Sequence, residues 1–359
     1  MQSTLGIKLN RAWIDAVFLL ENTRRQLLLA IVGIYRHHGL NDDRPLVALF
    51  IDEMHGAARE AYAMIERFLQ TFANAKFSYI ALVMLVYLFT QGISAARWTV
   101  LARPLGIKTP FTAMLRYYLI GMFFNLFAPG TVGGDVSRVY YLVKDEDARA
   151  KGHAVTTVHA AMSVLMDRAI GMIVLVWLGA LGLWLFPYYA VPHAARVATF
   201  VLALGFLAAG LLLPVLRRVL PQDGHQLVVK LRLAFRSYRT HWRALLIAIL
   251  LSLLSPLIQA WIHVAMGRAL DLNIPFSFAL IVYPLVGTFS AIPISLNGLG
   301  LREGGYIFLL AVIGISSEKG IAFGILLFLI VAVDSLIGGV LFLLQRGAKA
   351  EETAPQPAG

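Results

Sequence analysis

The sequence predicts an all-α fold, a polytopic bundle of helices embedded in a membrane. Of 359 residues, 59% are hydrophobic and only 14% are charged, whereas soluble domains average about half apolar and a quarter charged. The apolar residues also fall in long uncharged runs, several of them long enough to cross a bilayer. Composition and pattern together exclude an ordinary soluble protein and predict about six to eight membrane segments.

Residues 1–76 differ from the rest because charged residues interrupt every apolar run. No stretch there reaches the roughly 18 apolar residues that a transmembrane helix needs. A short apolar run at 27–34 is not followed by a small-residue cleavage site, so no signal peptide is expected. We expect a divergent N-terminal segment of polar and amphipathic character.

The membrane domain is predicted to occupy residues 77–345, followed by a disordered tail at 346–359. Five apolar runs read as continuous spans, at 77–96, 169–192, 197–216, 244–267 and 320–345. The first is expected to end at Arg97, and the second to begin after Asp167 and Arg168. The last contains one acid, Asp334.

Two other apolar runs are broken, at 117–134 and at 272–301, the latter followed by a short apolar stretch at 304–317. The breaks carry proline, glycine and asparagine, at Pro129, Gly130, Gly133 and Gly134 in the first and at Pro293, Asn297, Gly298 and Gly300 in the second. Irregular backbone at membrane depth is tolerated only inside protein or beside a water-filled cavity. We therefore predict two re-entrant hairpins near such a cavity.

The basic residues set an orientation. The segment 217–243 contains seven Lys and Arg residues against a single acid, which predicts a cytoplasmic loop. Counting spans from there, the two broken runs enter from opposite faces, and the C-terminus is cytoplasmic. Broken helices in corresponding places of two halves are typical of inverted-repeat transporters. The spacing leaves open whether the two hairpins are such a repeat or are unrelated.

Three motifs carry a family resemblance. They are N-x-x-x-P-G-x-x-G-G-D-x-x-R at 125–138, SVLMDRAIG at 163–171 and PISLNGLGLREG at 293–304. In order and spacing they resemble the signatures of the lysylphosphatidylglycerol synthase transmembrane region, a flippase-like domain that also occurs as a stand-alone membrane protein. Lysylphosphatidylglycerol synthases carry a soluble aminoacyl-transfer domain after this region, whereas only a short tail follows here, so lysyl transfer is not expected.

The resemblance implies a protein of the bacterial inner (plasma) membrane that moves a lipid, or a lipid-linked anionic headgroup, between leaflets. Anionic phospholipids and lipids of the polyprenyl or hopanoid type are the implied partners. The expected headgroup-binding residues are those of the three signatures: Asn125, Pro129, Gly130, Gly133, Gly134, Asp135, Arg138, Asp167, Arg168, Asn297, Gly298, Gly300, Arg302 and Glu303.

Each charged candidate has a structural alternative. Asp135 and Arg138 could share a face near a helix start and hold a phosphate, or form an ion pair that closes the hairpin. Arg302 and Glu303 are expected to face a cavity or to pair within the protein. Asp334 is interpreted as the partner of a signature arginine or as a proton site.

The leading functional hypothesis is a lipid translocator without enzymatic activity. A membrane glycosyltransferase or other lipid-modifying enzyme is the alternative, although the predicted external loops are short for catalysis. A third hypothesis is a non-transporting accessory subunit of an envelope pathway. The chain has no cysteine, no nucleotide-binding P-loop and no plausible metal-ligand cluster, so no cofactor, metal or nucleic acid is expected. A homo-oligomer or an envelope-biosynthesis enzyme as partner stays open.

Overall fold

A computed structural model of the chain describes residues 70–126 except 73, 132–149, 157–219, 237–291 except 239, and 300–352. Every regular element in these segments is helical, which confirms the predicted fold class. The main helices are α1 (Phe77–Ala102), α2 (Phe111–Asn125), α3 (Val132–Arg149), α4 (Thr157–Leu185), α5 (His193–Val219), α6 (Trp242–Ala269), α7 (Phe276–Ser290), α8 (Leu301–Leu310) and α9 (Ser317–Glu352).

Five of these helices, α1, α4, α5, α6 and α9, are long and apolar enough to cross a bilayer. Each of the five continuous spans corresponds to one of these helices, but α4 ends at Leu185 and not at residue 192, and two boundaries expected at charges also differ. Helix α1 continues through Arg97, and α4 begins at Thr157, before Asp167. The expected boundaries at these two charges were wrong because the charges pair with one another and remain inside the helices.

Each of the two broken runs corresponds to a pair of helices in the described residues. Helix α2 packs against α3, and α7 packs against α8. The 15 residues of α2 and the 10 residues of α8 correspond to about 22 Å and 15 Å, which is shorter than a hydrocarbon core of about 30 Å. These lengths fit helices that enter a membrane and return. The connections themselves, 127–131 and 292–299, lie outside the described residues.

Helix α2 lies between α3 and α9, and glycines allow the close approach on both sides. A Cβ atom at Gly338 of α9 would clash with the backbone carbonyl of Leu119, and one at Gly339 would lie 2.8 Å from the ring of Phe123. Small residues at such contacts let membrane helices pack backbone to backbone. The first hairpin is therefore anchored to α9.

The buried apolar residues form two large clusters. One surrounds Trp98 and Met114 on α1 and α2, and the other surrounds Met266, Phe278 and Phe323 on α6, α7 and α9. Helix α5 instead has long exposed apolar side chains along its length, which suits a helix facing lipid.

The C-terminal helix is longer than predicted. Helix α9 continues past residue 345 to Glu352, so the first part of the segment expected to be a disordered tail is helical. Residues 353–359 and 1–69 lie outside the described residues, as does most of the basic segment 217–243.

Candidate functional site

A cavity of about 330 Å³ lies inside the bundle, and every main helix except α5 contributes to its lining. About half of its lining is polar, and this half includes four arginines, one aspartate and several tyrosines, serines and amides. The charged lining residues are Arg97, Arg138, Arg168, Arg302 and Asp167. Both hairpins reach the cavity, since Arg138 belongs to the first and Arg302 to the second.

Asp167 of α4 lies at the centre of the charged wall and is 2% exposed. Its Oδ1 accepts a hydrogen bond from Arg97 Nε at 2.6 Å, and its Oδ2 lies 3.6 Å from Arg138 Nη1. A carboxylate removed from water requires such partners, because an unpaired buried charge is strongly unfavourable. One carboxylate thus neutralises part of the charge of two arginines, from α1 and α3.

A second ion pair joins α3 to α4. Arg168 donates from Nε and Nη2 to the carboxylate of Asp135 at 2.8–2.9 Å. Both side chains are about one-third exposed, in contrast to the buried pairs at Asp167. Asp135 and Arg138 therefore do not pair with each other: each reaches the opposite charge on α4, and the two ion pairs fix the hairpin against that helix.

Arg138 is almost fully buried at 2% exposure. Its guanidinium carbon lies 3.6 Å from the ring centroid of Tyr118 and 5.7 Å from that of Trp98. The aromatic faces and Asp167 compensate its charge. Its Nε has no hydrogen-bond partner among the described residues. The side chain is thus held rigidly at the cavity wall with one donor unused.

Two signature residues close the first hairpin. The side-chain Oδ1 of Asn125, the last residue of α2, accepts a hydrogen bond from the backbone N–H of Gly134 at 2.7 Å. A Cβ at Gly134 would lie 2.5 Å from the carbonyl oxygen of Gly121 and 2.6 Å from that Oδ1. Glycine is required there because the two backbones touch. Gly133 lies in the same first turn of α3.

In the second hairpin, adjacent charged residues have different roles. Glu303 Oε2 accepts from the backbone N–H of Gly300 at 2.6 Å and caps the start of α8. Gly300 has φ +85°, a conformation that favours glycine. Arg302 instead lines the cavity. The structure thus gives Glu303 a structural role and Arg302 a place in the candidate site.

Asp334 of α9 is 3% exposed, and its Oδ2 has no hydrogen-bond partner among the described residues. It forms no ion pair within the described part of the chain, in contrast to the predicted pairing with a signature arginine. It also does not line the cavity. Its interpretation as a proton site stays a prediction.

Four predicted site residues, Pro129, Gly130, Asn297 and Gly298, fall on the connections outside the described residues. Of the others, the structure brings Arg138, Asp167, Arg168 and Arg302 to one cavity. Asn125, Gly134, Asp135, Gly300 and Glu303 support the elements that carry these four side chains.

The main residue that the sequence reasoning missed is Arg97, which was interpreted as the end of a span. A signal was present: Thr90, Ser94 and Arg97 recur at i, i+4 and i+7 and form one polar stripe on an apolar helix. All three line the cavity. Tyr306 and Gln259 were also missed, because a tyrosine or an amide in an apolar run gives no distinctive signal.

Comparison with known proteins agrees with the membrane architecture. Residues 61–338 match the family described as the lysylphosphatidylglycerol synthase TM region. A UPF0104 membrane protein of Methanocaldococcus jannaschii is 29% identical over 125 residues, which cover 34% of this chain and 36% of that protein. The aligned part thus spans about a third of the relative's length. No solved structure matches the chain.

Proposed function

This chain belongs to the lysylphosphatidylglycerol synthase transmembrane-region family, and on that premise we propose that it translocates a lipid with an anionic headgroup between leaflets. The observation that carries the proposal is the concentration of four arginines in one cavity where the two hairpins meet. The headgroup binds in this cavity while its acyl or prenyl chains remain in the surrounding lipid.

The charge balance of the cavity supports an anionic ligand. The lining contains four arginines and one aspartate. Asp135, which is not part of the lining, forms an ion pair with Arg168. A charged side chain in the middle of a membrane helix costs about 2.5–3.5 kcal/mol on insertion scales. Four arginines that line one cavity at such cost are expected to serve a function, and a phosphate matches the planar donors of arginine.

We extend the proposal to the cellular location and orientation of the protein. We propose a multi-pass protein of the bacterial inner membrane with a cytoplasmic C-terminus that acts on anionic phospholipids or polyprenyl-type lipids without chemical modification. The five long apolar helices support the multi-pass arrangement.

We expect Arg302→Gln to reduce lipid translocation by about tenfold or more, because a hydrogen bond to a charged group contributes about 1.5–3 kcal/mol. The measurement is the scrambling of acyl-labelled phosphatidylglycerol in proteoliposomes that contain the purified chain. Arg268→Gln is the matched control, since Arg268 is exposed near the end of α6 and lies outside the cavity lining. It removes the same charge and should leave the rate unchanged.

The same assay separates the alternatives. Wild-type protein that binds the labelled lipid without moving it would favour an accessory subunit, and a chemically altered lipid product would favour an enzyme. Equal rates for wild type and Arg302→Gln would contradict the role of the arginines.

A further inference from the structure

The cavity has a second polar wall, built from a connected hydrogen-bond network on α1 and α6. The hydroxyl of Thr90 donates its only hydrogen to the carbonyl oxygen of Tyr87 at 2.6 Å. Thr90 Oγ1 can therefore only accept further hydrogen bonds. The two groups that contact it, Gln91 Nε2 at 3.3 Å and Gln259 Nε2 at 3.4 Å, must both be N–H donors.

This arrangement fixes the orientation of both amides. Gln91 Nε2 also faces the carbonyl oxygen of Tyr87 at 3.3 Å, which again requires a donor. The side-chain oxygens of Gln91 and Gln259 accept no hydrogen bond from the described residues, and both residues line the cavity. Each amide therefore leaves its oxygen as a hydrogen-bond acceptor for a ligand, while Gln91 has committed both N–H groups and Gln259 has committed one of its two.

The network continues to Tyr306 through His263. The Nδ1 of His263 lies 2.7 Å from the backbone carbonyl of Gln259, so Nδ1 carries a hydrogen. The ring is 1% exposed and packed among aromatic rings, with no acidic contact among the described residues, so it is neutral. Its Nε2 is then an acceptor, and Tyr306 Oη, at 2.7 Å, donates its hydrogen to it.

Tyr306 lines the cavity with its proton already committed to His263. Its oxygen thus offers only lone pairs to a ligand, as the two glutamine oxygens do. We call Gln91, Gln259 and Tyr306 the acceptor wall. Its chemistry is opposite to that of the arginine wall, where every guanidinium group is a donor.

An acceptor wall binds hydroxyl or ammonium groups, and the neighbouring charge decides between them. Arg302 precedes Tyr306 by four residues on α8, so the two side chains lie on the same helix face. Both line the cavity. The positive charge of Arg302 repels an ammonium group bound near Tyr306 but leaves neutral hydroxyl donors unaffected.

We propose that the cavity selects a phosphate-linked headgroup that is a neutral polyol, with the phosphate on the arginine wall and the hydroxyl groups on the acceptor wall. This inference rests on the proposed translocation function. Glycerol, inositol and a sugar share this chemistry. A cavity of about 330 Å³ is at the small end of ligand pockets, which favours a headgroup of this size over a long oligosaccharide.

The test measures the scrambling of four acyl- or prenyl-labelled lipids in proteoliposomes: phosphatidylglycerol, phosphatidylinositol, a glycosyl polyprenyl phosphate and phosphatidylethanolamine. We expect wild-type protein to move at least one of the three polyol lipids about tenfold faster than phosphatidylethanolamine. The relative rates of the three identify whether glycerol, inositol or a sugar is preferred. Equal rates for polyol and ammonium lipids would overturn the selection while leaving translocation in place.

Tyr306→Phe removes one acceptor and should reduce the preference for the polyol lipid about three- to tenfold. Tyr189→Phe is the matched control, because its hydroxyl bonds Ser277 at 2.9 Å outside the cavity. If Tyr306→Phe does not fold, Gln91→Leu removes a second acceptor and decides the question. An unchanged preference in the folded variant contradicts the acceptor wall, and no movement of any lipid by wild type refutes the translocator and this inference together.

Discussion

Asp167→Asn should lower the free energy of unfolding by about 3–5 kcal/mol, a large loss for a conservative substitution. The amide has nearly the shape of the carboxylate but no charge. Arg97 and Arg138, whose side chains are 11% and 3% exposed, would then share a buried site without a counter-ion. We expect a large loss of folded protein after extraction in mild detergent, measured by thermal unfolding and size-exclusion chromatography.

Asp135→Asn provides the control because it breaks the other ion pair between α3 and α4. Asp135 and Arg168 are 28% and 35% exposed, so water compensates part of the loss. We expect a cost of about 1 kcal/mol or less. Equal destabilisation by the two substitutions would show that Asp167 is not the central counter-ion.

Gly134→Ala should destabilise the first hairpin by about 1–3 kcal/mol and reduce translocation. The added methyl group would lie 2.5 Å from the backbone oxygen of Gly121 and 2.6 Å from Asn125 Oδ1. Backbone atoms cannot rotate away, so α2 and α3 must separate. That separation shifts Arg138, whose Nε lies 3.1 Å from where a Cβ atom at Gly121 would be. Thermal unfolding and the scrambling assay measure the two effects.

Gly205→Ala is the matched control for this change. Gly205 lies in helix α5 with no atom within 4 Å of an added Cβ. The substitution there should be neutral or stabilising by up to about 1 kcal/mol, since alanine favours helices over glycine. If Gly134→Ala proves as harmless as Gly205→Ala, the close contact of α2 and α3 does not exist in the membrane.

Hydropathy alone predicts the long helices, because each must bury about 20 apolar residues in lipid whatever its neighbours are. The break at Gly300 likewise follows from local backbone chemistry, since its φ is +85°. The expected break at Gly133 and Gly134 was wrong, because both glycines lie in the first turn of helix α3. Which charged residues pair with each other cannot be predicted in this way. Asp135 and Arg138 are close in sequence, yet each pairs with a residue of α4, which is a consequence of how α3 and α4 pack and of no local pattern.

The same limit explains the boundaries at Arg97 and Asp167. A charge at the edge of an apolar run normally marks the water interface. These two charges lie 70 positions apart in sequence and neutralise each other at 2.6 Å, so neither needs water. The direction of each hydrogen bond on the acceptor wall is even harder to predict from the sequence, because it depends on contacts among three helices at Thr90 and His263.

Helix α5 contributes nothing to the cavity, and its leucines at 204, 207 and 211 are 46–68% exposed. Natural variation should therefore be unevenly distributed over this protein. On helix α5, exchanges among leucine, isoleucine, valine and phenylalanine should have little effect on fitness. The charged residues that pair with Asp167 should instead be replaced only in a coordinated way. Helix α5 is accordingly the place where a reporter group could be attached with least disturbance.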